Sequence, residues 1–284
     1  MSTSDPFVAV LPYGFKPRGP LGSVPLKDVE WPLGAPLDLN GTLADLTRQD
    51  HVVTYPRNWV YGWKPLGLRA RLSLLIVEPA AIHKKHMRLA RLFSRRFHRI
   101  LTCNPTLLAR LPNAQFFPLG DTWVENWQDV DCHKTQMASL IASAKRGLEG
   151  HQLRHSLADW VGRSGQDVKV MGGGYAPFAA KSEGLAPFRY SFIIENAAEP
   201  GYFTEKLIDA LLCETVPVYW GAPDIERFFD PNGMLICRTF DDLKAAAANL
   251  SDADYRARRD AILANKSRAQ TYVDVNKRAA KAVI

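Results

Sequence analysis

The chain has 284 residues, 46% of them hydrophobic, so it can bury real cores and is long enough for two domains. Its formal net charge is +7 and its pI about 9.2, which favours nucleotide phosphates, nucleic acid or an anionic membrane surface as partners, beside a merely solvated basic surface. No stretch approaches the ~20 apolar residues of a membrane helix, and the four cysteines (Cys103, Cys132, Cys213, Cys237) lie far apart with no C-x-x-C pair. They read as reduced, mostly buried thiols rather than as a disulfide framework or a zinc site. The opening residues lack the charged-then-apolar pattern of a signal segment. The expected location is cytoplasmic, with peripheral membrane contact as an option. Asn-x-Ser/Thr sequons at Asn40, Asn249 and Asn265 are then chance occurrences.

Taken in order, Phe7–Leu11 reads as a first strand. Residues 15–40 are rich in Pro and Gly and read as irregular chain, either an acceptor groove or a surface excursion. Val52–Tyr55 is a short strand, and Leu72–Val77 a clear apolar one that runs out onto Glu78. A basic helix is expected over His83–Arg96, with Met87, Leu89, Leu92 and Phe93 on its apolar side. Strands at Arg99–Thr102 and Phe116–Pro118 complete an alternation that argues for an α/β domain. Residues 120–135 read as a crossing to a second domain. The expected division is therefore 1–135 and 136–284.

The second domain opens with a strand over Met137–Ile141 and a helix over His151–Val161 with Arg154 near its start. A strand over Val168–Met171 runs into Gly172, Gly173 and Gly174, either a close approach to a phosphate or ribose or a flexible turn. Tyr190–Ile194 follows, an apolar run that suits a strand buried on both faces and ends on Glu195. In open α/β sheets ligands bind outside such strand ends. Thr204 has the features of a helix N-cap, with Glu205 and Lys206 in the first turn and Leu207, Ala210 and Leu211 facing the sheet. A helix start of this kind suits a phosphate, and Lys206 adds a full charge there. Val216–Trp220 is the next strand, with Pro217 near its start. A helix over Asp241–Leu250 and a last one opened by Ser251 and Asp254 follow, the latter to about Lys266. The basic remainder either frays or packs back on the first domain.

His83 and His86 lie three apart among lysines without the H-E-x-x-H pattern, which argues for a basic face rather than zinc. That face suits an acidic acceptor or a membrane surface. Asp129-Val130-Asp131 has D-x-D spacing but lies in the crossing. No metal ligand is therefore assigned.

The spaced set Glu195-Asn196, Tyr202-Phe203-Thr204-Glu205-Lys206, Val216-Pro217-Val218 and Gly221 resembles the donor-binding motif of the α1,3/4-fucosyltransferases, glycosyltransferase family 10. Phe229-Asp230-Pro231 and Phe240-Asp241-Asp242 are similar to that family's pattern too. Ala197 departs from it, standing where a small hydroxyl residue is usual. The resemblance implies a GT-B architecture, two Rossmann-like domains facing a central cleft, with the acceptor on the first and the nucleotide sugar on the second. It implies inverting transfer of L-fucose from GDP-fucose to a glycan hydroxyl, with no cofactor required and Mg²⁺ or Mn²⁺ stimulation left open. In that reading Glu78 is the general base, and Arg154 and Lys206 hold the pyrophosphate with help from Lys145. Glu195, Asn196, Tyr202 and Glu205 surround the fucose and ribose, and Thr204 caps the helix beneath them. The alternatives are a transferase of the same fold with another nucleotide sugar, or a noncatalytic nucleotide- or glycan-binding protein. A nucleic-acid binder is disfavoured, because the aromatics do not interleave with Lys and Arg.

Overall fold

The structure, a computed structural model, describes residues 5–62 and 66–284, so the first four residues of the leader reading lie outside the described residues. The chain forms two compact units, Met1–Pro118 with Val275–Ile284, and Leu119–Asp274. Each is built on a five-stranded, wholly parallel sheet. This is the α/β, GT-B type of architecture expected from the sequence.

In the first unit the strands are β1 (Val8–Val10), β2 (His51–Thr54), β3 (Arg71–Ile76), β4 (Ile100–Thr102) and β5 (Ala114–Phe116), paired in chain order. Leu11, Val52, Leu74, Ile76 and Ile100 share one core with Leu21 and Leu43 of the Pro/Gly-rich excursion. That excursion contains only short 3₁₀ turns, as its composition implies. β5 starts before Phe116, because Ala114 pairs with Ile100, and Phe117 N–H makes the last bond, to the Thr102 carbonyl at 2.9 Å. Pro118 has no N–H with which to continue.

Helix α1 spans Ala80–Leu92, three residues earlier than the periodicity suggests at its start. Pro79 supplies the preset φ that lets a helix begin directly after it. Two sequence expectations change here. Leu92 is 75% exposed and does not join the apolar side, and His83 is buried rather than part of the basic face. The solvated cations are Lys84, Lys85, Arg88 and Arg91. A short helix α2 (Pro105–Arg110), capped by Asn104, leads into β5.

The second unit runs β6 (Gln136–Ile141), α3 (Glu149–Ser164), β7 (Val168–Met171), β8 (Phe188–Ile194), α4 (Glu205–Leu212), β9 (Val216–Trp220) and β10 (Leu235–Ile236). Helices α5 (Phe240–Ala248), α6 (Asp252–Ala257) and α7 (Arg259–Ala269) follow, the single last helix of the sequence reading being broken at Arg258. The strand order is β10-β9-β8-β6-β7. Alternate residues of β8 enter two different cores: Phe192 and Ile194 pack with α3, and Ile193 packs with α4. The sheet is thus buried on both faces, which is why Tyr190–Ile194 reads as an unbroken apolar run. Leu207, Ile208, Leu211 and Leu212 of α4 are all buried on it, each stabilising the unit by about 1.5–3 kcal/mol. Pro217 sits one residue before the point where β10 begins to pair, so its missing N–H costs no bond on that side.

The division falls at Pro118/Leu119 rather than at 135/136. Residues 119–135 are fastened to the second unit. The Thr122 hydroxyl and the Trp123 N–H donate to Asp209 of α4 at 2.6 and 3.0 Å, and Lys134 donates to the carbonyls of Ala186 and Cys213. The C-terminal helix Val275–Val283 belongs to the first unit, where Asn276 bonds with Tyr55 and Glu30, and Arg278 with the Pro118 carbonyl.

Candidate active site

From β6 the chain crosses to β7 on one side of the sheet and then returns to β8 on the other. The reversal falls between the carboxyl ends of β6 and β8, where open α/β sheets form their ligand crevice. Ala142–Leu148 leads from β6 into α3 at this point, and Glu195-Asn196 leaves β8 beside it.

The two ends are pressed together. Gly150, in the first turn of α3, donates to the Asn196 carbonyl at 3.3 Å, and a Cβ there would lie 1.7 Å from the Glu195 carbonyl oxygen. Only glycine permits that approach, which aims the N–H groups of a sixteen-residue helix at the strand end. One turn on, Arg154 is buried and forked onto the same place. Its Nε and Nη2 donate to the Ile194 carbonyl at 2.9 and 2.7 Å, and Nη2 donates to Asn196 Oδ1 at 2.8 Å. Burial lowers the Arg154 pKa, against the opposing charges of Glu195, Tyr202 and Glu205.

Glu195 is wholly buried. Its carboxylate accepts from the Thr204 N–H and the Thr204 hydroxyl, both at 2.8 Å, and lies 3.8 Å from Lys206 Nζ. Burial raises its pKa, while Lys206 and Thr204 act the other way. Thr204 is the N-cap of α4, its hydroxyl accepting from the Lys206 N–H at 3.3 Å. Lys206 Nζ also pairs with Glu205 at 3.0 Å. Burial pushes Lys206 down, but the two carboxylates outweigh it and the ammonium ends raised. Burial raises Glu205, and Lys206 and Lys181 more than reverse that.

Lys181 carries no signal in the sequence. It lies 2.5 Å from Asp209, 3.9 Å from Glu205, and 4.8 Å from the centre of the Trp123 ring. Asp209 is fully buried, and burial raises its pKa against Lys181 and the Thr122 and Trp123 bonds. Three carboxylates (Glu195, Glu205, Asp209) thus face three cations (Arg154, Lys181, Lys206).

The geometry divides the residues singled out in the sequence. Arg154, Glu195, Asn196, Thr204, Glu205 and Lys206 form one connected cluster. Asn196 and Lys206 retain partial exposure, whereas Glu195, Tyr202 and Thr204 are enclosed. Lys145 is exposed on the β6–α3 connection, whose carbonyl is held by His155 Nε2 at 3.1 Å. A carbonyl only accepts, so Nε2 carries a proton there, and in the neutral ring Nδ1 accepts from the Tyr175 hydroxyl at 2.8 Å. His155, Tyr175 and Gly150 were not singled out as site residues in the sequence, although a glycine in a helix's first turn is a signal of close approach. Gly172 has φ +108°, and a Cβ there would lie 2.4 Å from the Ala142 carbonyl oxygen, so the glycine run fits tightly against the same connection.

Glu78 belongs to the other unit, half-buried just past the carboxyl end of β3. Its charge raises Tyr13, after burial and against Arg57. Among the described residues no group of three or more His, Cys, Asp or Glu side chains is placed to hold a metal ion, and no helix is long and apolar enough to cross a membrane. All four cysteines are free thiols, three of them buried and Cys132 partly so.

Residues 133–259, which include this cluster, match the model of glycosyltransferase family 10 (fucosyltransferase), C-terminal part. Over 60 residues the chain is 37% identical to the alpha-(1,3)-fucosyltransferase FucT of Helicobacter pylori. That stretch is 21% of this chain and only 13% of the relative. Among solved structures, a crystal structure of an alpha1,3-fucosyltransferase superposes with a TM-score of 0.51 at 17% identity, over 91% of this chain and 82% of that one. The crystal structure of TarM gives 0.55 at 11% identity, over 83% and 54%. At these identities the structural likeness is one of fold. The family resemblance read in the sequence is therefore borne out, and residues 133–259 are the part of the chain that carries it.

Proposed function

We propose that this protein is an inverting fucosyltransferase that moves L-fucose from GDP-fucose to a hydroxyl of a glycan acceptor. The observation that carries the reading is the cluster at the end of β8, where a capped helix start, Lys206 and Arg154 converge on one point within the family-matched segment. A pyrophosphate there meets the N–H groups of α3 and α4, the ammonium of Lys206 and the fork of Arg154, with Lys145 reaching in from the loop. These groups neutralise charge as the GDP leaves. Asn196 and Glu205 meet the sugar and ribose, while Glu195, Thr204 and Tyr202 hold the shape beneath. Glu78, at a strand end of the other unit, takes the proton of the attacking hydroxyl. Donor binding needs no metal in this account, since fixed cations already face the pyrophosphate. The free thiols support a cytoplasmic setting, and the exposed cations of α1 suit contact with an anionic surface.

The experiment is GDP release from a panel of nucleotide sugars, with and without EDTA, by the wild type and by Glu78→Gln. The expected result is consumption of GDP-fucose alone, indifferent to EDTA, with turnover down at least ~100-fold in the variant. Consumption of another sugar nucleotide would transfer the reading to that donor. GDP binding without turnover of any donor would favour a binding protein of the same fold.

A further inference from the structure

The first unit holds a pocket of about 620 Å³ that the donor reading does not use. Its walls are the turn that enters β3 and the turn that enters β4, so it opens at the amino ends of these strands. Glu78 follows the carboxyl end of β3, about 20 Å away at the usual rise of a six-residue strand.

The lining combines cationic and apolar groups on both turns. Arg71, Arg95, Arg96 and His98 supply the charge, and Leu68 and Phe97 are among the apolar groups. Among the described residues no Asp or Glu lines the pocket. The guanidiniums of Arg71 and Arg95 make no ion pair or hydrogen bond among the described residues. Asp50, whose charge reaches His51 next to the pocket, is already occupied: it accepts from the Phe7 and Thr47 N–H groups and from the Thr47 hydroxyl. His51 is 2% exposed, its Nδ1 has no partner, and its ring lies 5.1 Å from that of His98. Burial first, then Arg99 and Arg71, hold the His98 pKa down against a hydrogen bond with the Val283 backbone.

The walls are formed in advance. The Gly22 N–H donates to the Leu66 carbonyl at 2.6 Å, and a Cβ on Gly22 would lie 2.1 Å from the Gly67 carbonyl oxygen. On the other wall Asn113 donates to the carbonyls of Ser94 and Phe97 at 3.0 and 2.8 Å, and the His98 N–H donates to the Leu72 carbonyl at 2.7 Å. A preformed concave site with apolar walls and a few convergent charges is the form that ligand sites take. From this pocket we infer a second binding site, for an anion that carries an apolar chain, with a phosphate-like head on Arg71 and Arg95 and the chain against Leu68 and Phe97.

The test is isothermal titration of the full chain with octyl phosphate, inorganic phosphate and octanol, repeated on the double variant Arg71→Gln/Arg95→Gln. Both arginines are exposed, so the variant keeps its fold. The expected result is saturable binding of octyl phosphate, weakened about tenfold in the double variant. Inorganic phosphate should bind at least about tenfold more weakly than octyl phosphate, for lack of the buried chain. Saturating GDP should not displace octyl phosphate. Equal affinity in the double variant, or octanol binding as well as octyl phosphate, overturns the site. Equal affinity for inorganic phosphate overturns its apolar half, and displacement by GDP overturns its separateness from the donor site.

Discussion

Thr204 donates twice to Glu195, from its N–H to one carboxylate oxygen and from its hydroxyl to the other. The same hydroxyl accepts from the Lys206 N–H to cap α4. One side chain therefore joins the end of β8 to the start of α4, and the intervening loop has no freedom to separate them. Thr204→Val keeps the shape and removes both roles. It should lower stability by about 1–2 kcal/mol, read as a lower urea midpoint at unchanged slope. Thr204→Ser should restore most of the loss. Equal stability of the Val variant and wild type would remove the hydroxyl from this account.

Two glycines of α3 make opposite predictions. A Cβ at Gly150 would strike the Glu195 carbonyl at 1.7 Å, whereas one at Gly162 meets nothing within 4 Å. Gly150→Ala should cost about 1–3 kcal/mol as backbone is forced apart, and it should weaken GDP binding by moving the helix start. Gly162→Ala should gain about 0.5–1 kcal/mol from helix propensity alone. Thermal melts of the two variants decide this, and a Gly150→Ala protein as stable as wild type contradicts the close approach.

Two buried histidines give the first unit a dependence on acid. Burial first, then His98 and Arg71 against Asp50, brings His51 down to about 4, and burial with His86 and Arg57 brings His83 down to about 4. Unfolded, each ring takes its proton as the pH falls through about 6.5, but the folded protein refuses it until about 4. The contribution is complete above the unfolded value and is lost as the pH falls towards the folded one. Each ring adds a slope of at most about 1.4 kcal/mol per pH unit in that window. Urea unfolding at several pH values should show stability falling below about pH 6.5, less steeply in His83→Gln. An identical slope in the variant would acquit His83.

The sequence is most legible where local chemistry and packing agree. Thr204 as cap, Leu207, Ala210 and Leu211 as the buried face of α4, and β7 over Val168–Met171 are found as read. The unbroken burial of β8 and the buried run Leu207–Leu212 of α4 leave apolar marks within ten residues. Lys181 leaves none, because its partner Asp209 is far along the chain and the pairing exists only after the sheet forms. The division at Pro118 is hidden for the same reason. Residues 119–135 have the composition of a linker, and it is their bonds to Asp209 and to the carbonyls of Ala186 and Cys213 that assign them to the second unit. Leu92 is exposed because it lies on the side of α1 opposite His83 and Ala90, the residues that the helix buries. Glu195 and Tyr202, polar residues of the donor motif, are completely buried, which residue type alone does not foretell.

The central claim is that donor binding resides at the start of α4, separately from proton removal by Glu78. The most direct test is titration of GDP into the wild type, Lys206→Met and Glu78→Gln. The account predicts that Lys206→Met loses affinity about tenfold or more with the missing charge-assisted contact, while Glu78→Gln binds as the wild type does. Undiminished GDP affinity in Lys206→Met, or an equal loss in Glu78→Gln, would contradict it.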